Sequence, residues 1–312
     1  MPSTLVEAMT PSTRARELVR GAYDLHVHTG PDVMKRRIDD IGLAQRCVEV
    51  GLAGYVIKSH YVPTSARATL VNSMVPGVRV LGSVTLNALA GGMTPMAVEI
   101  AAREGARLVW FPTVDSENER RLRSGVTDPS KLPFWAKLQD EMRQLGMVVP
   151  AVRVVDEKGE VLPETRQVLE RIAHHGLVLA TGHLSRDEIF AVVDAAIDAG
   201  VKQIIVTHPD FPTQNLSLED QQALAAKGAY LERCFTTAYT GKVQWETMFE
   251  RIRATGVTAN VLSSDLGQPS NPPVEDGLAL MADRLLAAGF TEDEVHIMAV
   301  RNTVELAGGI AA

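Results

Sequence analysis

Short apolar runs alternate with amphipathic stretches along almost the whole chain. The runs read as strands over Tyr23–His28, Gly54–Lys58, Val78–Thr85, Arg107–Pro112, Met147–Val154, Leu177–Gly182, Gln203–Thr207, Ala229–Glu232 and Thr258–Ser263. Between them, apolar positions recur at helical spacing over Ile41–Val50, Thr94–Arg103, Leu132–Leu145, Glu164–His174, Ser185–Ala199, Leu218–Ala226 and Val243–Ala254. Several of these carry end signals: Ser185 with Glu188 three residues on makes a capping box, and Gly200 closes the same helix. The strands are nearly continuous in Val, Ile and Leu, which fits burial on both faces and hence a parallel sheet with helical crossovers.

The strand-and-helix unit repeats roughly every 24 to 31 residues, which predicts an α/β protein with a single TIM-like (β/α)8 barrel over residues 1–312 rather than two domains. Residues 1–21, with a helix at Ser12–Val19, read as a short N-terminal extension. Nine strands are one too many for eight. One of the first five is therefore an edge hairpin or a loop, and the segment VRVVDEKGEVLPE, turning at Asp156–Gly159, suits a β-hairpin insertion near 150–162.

Composition narrows the function. Hydrophobic residues make up 46% and charged residues 22% of 312, an ordinary globular balance. A net charge of −7 with no long basic run argues against a nucleic-acid partner. The two cysteines, Cys47 and Cys234, form no CxxC knuckle and fit a reducing, cytoplasmic setting. No apolar window reaches membrane-spanning length, and the first residues lack a signal-peptide core.

The candidate chemistry centres on Ala22–His28, AYDLHVH. At a strand's period of two, His26 and His28 leave the backbone on one face, where two imidazole nitrogens can reach one ion. The bland alternative is one core and one surface histidine. Against it, His183 follows LVLATG, His208 follows QIIVT and Asp265 follows NVLSS, each a ligand type at the C-terminal end of a strand-like run, where barrel active sites assemble.

This order of HxH, His, His and Asp resembles the amidohydrolase superfamily of metal-dependent hydrolases, and the ending RNTVELAGG, Arg301–Gly309, looks like that superfamily's C-terminal Asn-containing helix. The resemblance implies a divalent metal, zinc first with manganese or iron as alternatives, as one or two ions. It implies that His26, His28 and Asp265 bind one ion. His183 and His208 then bind a second, or supply one ligand and one oxyanion contact. Asp265 would move the proton of the attacking water, with His208 opposite polarising the carbonyl. The chain departs from the pattern at the bridging position, because the middle strand VVPAVRV offers Arg153 and neither lysine nor acid. Lys58, in YVIKSHY, is the substitute: a carboxylated bridge between metals, an ammonium holding an anionic substrate, or a barrel lysine paired with a carboxylate.

Other residues carry weaker signals. His60 shares the face of Lys58 by parity and is a ligand, a substrate contact or a loop histidine. Arg36 and Arg37, in HTGPDVMKRR with Asp32 and Lys35, and Arg153 are candidate clamps for a substrate carboxylate, against the commoner reading of a solvated face or an ion pair. Glu232 ends a strand without a clear catalytic role. His174–His175 precede Gly176, where cations cap a helix, and His296 falls in a late polar helix. No phosphate loop or nucleophile elbow occurs. The expected activity is hydrolysis of an amide, lactam or imide C–N bond in a small, carboxylated substrate, by a chain that self-associates as barrels often do. Lactone or phosphoester hydrolysis on the same site, and a non-catalytic ligand-binding barrel, are the competing expectations.

Overall fold

A computed structural model describes residues 10–123, 128 and 132–309; of the N-terminal extension, residues 1–9 lie outside them. Eight strands form one parallel sheet in sequence order: β1 (Tyr23–Val27), β2 (Gly54–Ile57), β3 (Arg79–Thr85), β4 (Ala106–Trp110), β5 (Val178–Ala180), β6 (Gln203–Val206), β7 (Tyr230–Cys234) and β8 (Asn260–Ser263). Helix α1 (Thr13–Leu18) precedes β1, and the crossovers carry α2 (Asp40–Val50), α3 (Ser65–Met74), α4 (Pro95–Arg103), α5 (Glu117–Arg123), α6 (Phe134–Gln144) and α7 (Pro163–His174). Beyond them come α8 (Arg186–Asp198), α9 (Leu218–Ala226), α10 (Phe235–Tyr239), α11 (Trp245–Thr255), α12 (Gly277–Ala287), α13 (Glu292–His296) and α14 (Asn302–Leu306). This is the TIM-like (β/α)8 barrel.

The ninth strand expectation fails at Met147–Val154. Pro150 has no N–H for a ladder, Val148 is 88% exposed, and the segment runs as a loop with one parallel bridge from Val152 to Ser116. Its continuation does turn back on itself: Val155 bridges Val161 antiparallel, and Asp156 N–H donates to Glu160 O at 2.8 Å. The true middle strand is β4, so Arg153 sits in a loop.

The chain divides into two compact units. One gathers the residues up to Ile57, Leu70–Val80 and those from Arg233 on; the other holds Lys58–Thr69 and Leu81–Glu232. In the first, the strand residues Leu25, Val27, Val56, Ile57 and Leu262 are fully buried. Its chain ends are tied to its strands. Asn302 Nδ2 donates to Asn260 O at 2.7 Å, and Tyr23 N–H donates to Thr303 Oγ1 at 3.1 Å, so the Asn-containing helix braces the starts of β8 and β1.

In the second unit, β4, β5 and β6 run in register through Leu108, Val178 and Gln203. Val109, Phe111, Leu169, Leu179, Val192 and Val206 belong to its core. Helix α8 opens on the anticipated capping box, with Ser185 N–H donating to Glu188 Oε2 at 2.7 Å, and the chain leaves it through Gly200 at φ +85°.

Candidate active site

In the first unit the sequence candidates of β1 and β8 meet. Asp265 N–H donates to His26 O and His28 N–H donates to Leu266 O, both at 2.8 Å, which zips the end of β8 to β1 as a parallel bridge from Val27 to Leu266. The zipper needs a glycine next. Gly267 sits at φ +136°, and a Cβ there would stand 1.8 Å from His28 O. Asp265 itself adopts φ +52°, a left-handed conformation that side chains other than those of Asn, Asp and His rarely take.

The result is a close triad of two buried histidines and a half-buried aspartate. Asp265 Oδ1 lies 3.2 Å from His26 Nε2 and 3.3 Å from His28 Nε2, while its Oδ2 accepts from Thr236 Oγ1 at 3.1 Å. The ligand atoms of His26, His28 and Asp265 all fall within 4.8 Å of one another. Two imidazoles and a carboxylate are a donor set suited to zinc, manganese or iron. Beneath them, Asp24 Oδ1 accepts from Ser264 N–H at 3.0 Å and from His26 N–H at 3.3 Å, so a buried acid fixes the backbone on both sides of the triad.

The far nitrogens of the two rings have different partners. His26 Nδ1 faces the buried thiol of Cys234 at 3.8 Å, a group that can donate or accept. His28 Nδ1 lies 3.3 Å from Arg36 Nη2, and Arg36 is in turn held by Asp32 Oδ2 through Nε at 2.6 Å. Both of those side chains are buried, at 3% and 2% exposure, so Arg36 is not the solvated charge its sequence context suggests. Arg37 is a strut: its Nη1 donates to the carbonyls of Pro269 and Asn271 at 3.0 and 2.9 Å.

In the second unit, His183 and His208 come together with ring centroids 5.0 Å apart, and His60 lies 6.0 Å from His183. His183 Nδ1 stands 2.9 Å from Glu119 Oε1, a close contact between imidazole and carboxylate. His208 Nδ1 pairs with Gln214 Oε1 at 3.0 Å, which assigns the proton to Nδ1 and the lone pair to Nε2. Metal-binding histidines commonly show this pattern of an outer acceptor. The loop that sets it is tightly bonded to itself, with Phe211 N–H on His208 O at 2.9 Å and Leu216 N–H on Pro209 O at 3.1 Å. His208 at φ +25° and Asn215 at φ +41° bracket it in the left-handed region. Gly182, just before His183, is obligatory because a Cβ would meet Phe111 O at 2.3 Å.

Lys58, fully buried, places its Nζ over the Trp110 ring, 4.3 Å from the centroid. His60 Nδ1 pairs with Thr113 Oγ1 at 2.8 Å, and Asn87 Nδ2 holds that same hydroxyl at 2.7 Å. Arg153 reaches Glu117 Oε2 at 3.6 Å from an exposed loop, on the wall of a cleft of about 520 Å³ lined also by Ala88, Met93 and Glu164. Glu232, buried, accepts from His208 N–H at 3.3 Å. Asp115 caps Ala88 N–H and accepts from Gln139 Nε2, and burial raises its carboxyl above the ordinary range.

Sequence reasoning missed Glu119, Gln214, Asn87 and Asp115. Only Glu119 leaves a trace, as an acid in the first turn of a helix after β4. Of the bland expectations, His296 is exposed at the end of α13, whereas His175 spends its ring on Glu99 Oε2 at 2.7 Å rather than on helix carbonyls.

Residues 21–232 match the model of DUF6282, a family of unknown function. A search of curated proteins gives no match. Among solved structures, the chain is similar to the probable dipeptidase PvdM from Pseudomonas aeruginosa, at TM-score 0.63 and 12% identity over 95% of this chain and 97% of that one. An amidohydrolase from the same organism gives TM-score 0.63 and 11% identity over 94% and 97%. A putative 2-pyrone-4,6-dicarboxylic acid hydrolase from Pseudomonas putida gives 0.56 and 13% over 92% and 97%. The fold is the one these amidohydrolase-superfamily structures share.

Proposed function

The chain belongs to the DUF6282 family, and from that premise we propose that it is a metal-dependent hydrolase acting on a small substrate, with an amide, lactam or imide C–N bond as the point of attack. The observation that carries the reading is the triad of His26, His28 and Asp265 at the junction of β1 and β8. His26, His28 and Asp265 would together hold a divalent cation, the histidines through Nε2. In the second unit, His183 and His208, with outer partners Glu119 and Gln214, are the candidates for a further ligand pair. Fold likeness to the dipeptidase and the pyrone hydrolase supports the class of chemistry by analogy.

A bound divalent cation lowers the pKa of its water towards about 7, which makes hydroxide available at neutral pH. The chain's own part is proton handling and charge. Asp265 takes the proton from the attacking water and returns it to the leaving nitrogen as the C–O bond forms and the C–N bond breaks. Its Oδ2, steadied by Thr236, keeps the carboxylate in place between the two roles. His208, with its Nδ1 proton committed to Gln214, would turn Nε2 to a second cation, and such a cation would supply the positive charge that polarises a substrate carbonyl. Lys58 supplies a buried ammonium for an anionic group, held at the face of Trp110. His60 and Arg153 are the remaining candidate substrate contacts, Arg153 for a carboxylate, since Arg37 is committed to carbonyls. Among the described residues no helix is long and apolar enough to cross a membrane, and we propose a cytoplasmic enzyme with zinc as its first metal.

The test is elemental analysis of metal per chain, on protein purified without chelator, for the parent and for His26→Ala and Asp265→Ala. A panel of dipeptides, lactams, imides and lactones is then assayed before and after chelation. Metal that falls in both variants, with turnover lost to chelator and restored by zinc or manganese, supports the proposal. A parent that takes up no metal after reconstitution refutes it.

A further inference from the structure

The two histidines of the triad are not equivalent, and the difference lies in Arg36. Arg36 Nη2 stands 3.3 Å from His28 Nδ1. A guanidinium has donors only, so this contact exists only while Nδ1 presents its lone pair. The ring proton of a neutral His28 is then on Nε2, the nitrogen 3.3 Å from Asp265 Oδ1. The pair is built to persist. Asp32 grips Arg36 through both Nε and Nη2, at 2.6 and 2.5 Å, and both side chains are buried. The loop that carries them is anchored at both ends, by Gly30 N–H on Ile38 O at 2.9 Å and Arg37 N–H on Gly267 O at 2.8 Å. A buried ion pair costs desolvation that its own attraction does not reliably offset, so stability alone is a weak reason for it to be there.

We propose that Arg36 is a positioning residue that holds the proton of His28 on Nε2 and thereby restrains metal binding at the triad. While Arg36 holds Nδ1, a neutral His28 turns its Nε2 proton, not a lone pair, towards Asp265. For Nε2 to take a cation, the guanidinium must turn away from Nδ1, the Nε2 proton leaves to solvent and Nδ1 takes one up, with no net change in protons. His26 Nδ1 faces the Cys234 thiol, which can serve as donor or acceptor. This rests on the metal-site reading above and adds to it a metal held more loosely than the His2Asp donor set alone provides.

The test uses the full chain with its histidine ring nitrogens labelled with 15N, in metal-free, mildly alkaline buffer. Long-range 1H–15N correlations give the tautomer of His28, and zinc and manganese affinities come from competition with a chromophoric chelator. The parent is compared with Arg36→Lys, which keeps a donor, and with Asp32→Asn/Arg36→Met, which removes both charges so that no buried carboxylate is stranded. Thermal unfolding checks that each is folded. We expect His28 protonated on Nε2 in the parent and in R36K, a shift towards Nδ1 in the double variant, and metal bound there about 10- to 100-fold more tightly, the usual reach of an outer-shell partner. A parent whose His28 proton is already on Nδ1 overturns the proposal, as does a double variant with the parent's tautomer or with metal affinity no tighter than the parent's. If neither ion binds any of the proteins while the tautomer shifts as described, the metal-site reading fails and the restraint on metal falls with it, leaving only the hydrogen-bond assignment.

Discussion

Replacing Gly267 by alanine attacks the candidate site through the backbone. The new Cβ would stand 1.8 Å from His28 O, 2.7 Å from its carbon and 2.8 Å from its Cβ. Carbon and oxygen without a conventional hydrogen bond settle at roughly 3.3 to 3.6 Å, so the strands must part by about 1.5 Å. The backbone at φ +136° adds about 1–3 kcal/mol of strain for an L side chain. Parting also breaks His28 N–H to Leu266 O and Arg37 N–H to Gly267 O, each worth about 1 kcal/mol. The sum is about 3–5 kcal/mol. Gly21 is the control, since it sits at φ +82° with nothing within 4 Å of a Cβ, and alanine there costs only the left-handed penalty of about 1–2 kcal/mol. Urea unfolding followed by circular dichroism should separate the two variants by about 2–3 kcal/mol at equal m-value, with metal uptake reduced in G267A alone. Two variants that agree within about half a kcal/mol would refute the claim that Gly267 is the spacer between β1 and the end of β8.

Four further outcomes follow from the geometry. Asn302→Ala, which strands the carbonyl of Asn260 in a buried place, should cost about 1–3 kcal/mol in the same urea assay. Ser185→Ala removes the N-cap of α8 and should cost about 1 kcal/mol. The hydrogen bond from His175, with that from Arg103, holds the Glu99 carboxyl down at about 2. A carboxyl depressed in the fold contributes stability above its unfolded pKa of about 4.3 that is lost as pH falls towards the folded value. His175→Ala should therefore raise the Glu99 titration seen by carboxyl NMR and flatten the acid limb of stability between those values; an unmoved titration counts against the contact. If turnover is found, Glu119→Gln should lower it about 10- to 100-fold with the fold intact, because His183 loses its anionic neighbour.

The barrel and most of its metal candidates were legible because both depend on periodicity. His26 lies on a buried strand with His28 two residues on, just past its end, and His183, His208 and Asp265 follow strand-like runs rich in Val, Ile and Leu. Met147–Val154 misled for the same reason. Its composition is strand-like, yet Pro150 denies it a ladder and nothing covers Val148. What pattern could not reveal is pairing at a distance. Gln214 reaches His208 through a loop shaped by two residues in left-handed backbone, and Asp32 with Arg36 reads as a solvated charge run until the fold buries it. Glu119 and Asp115 leave little periodic trace because their value lies in which neighbours the turn after β4 brings to them.

His208 and Asp265 both sit in left-handed backbone, where glycine would rest at ease and any other residue is held at a cost of about 1–3 kcal/mol. Selection on thermal robustness alone, in a library randomised at these two positions, would drift to glycine and leave a sturdier protein. Under the proposed function, selection for turnover would hold histidine and aspartate against that drift. The two positions are thus where the interests of the scaffold and of the catalyst come apart, and the gap between the two selections would measure what the chemistry is worth to the cell that keeps it.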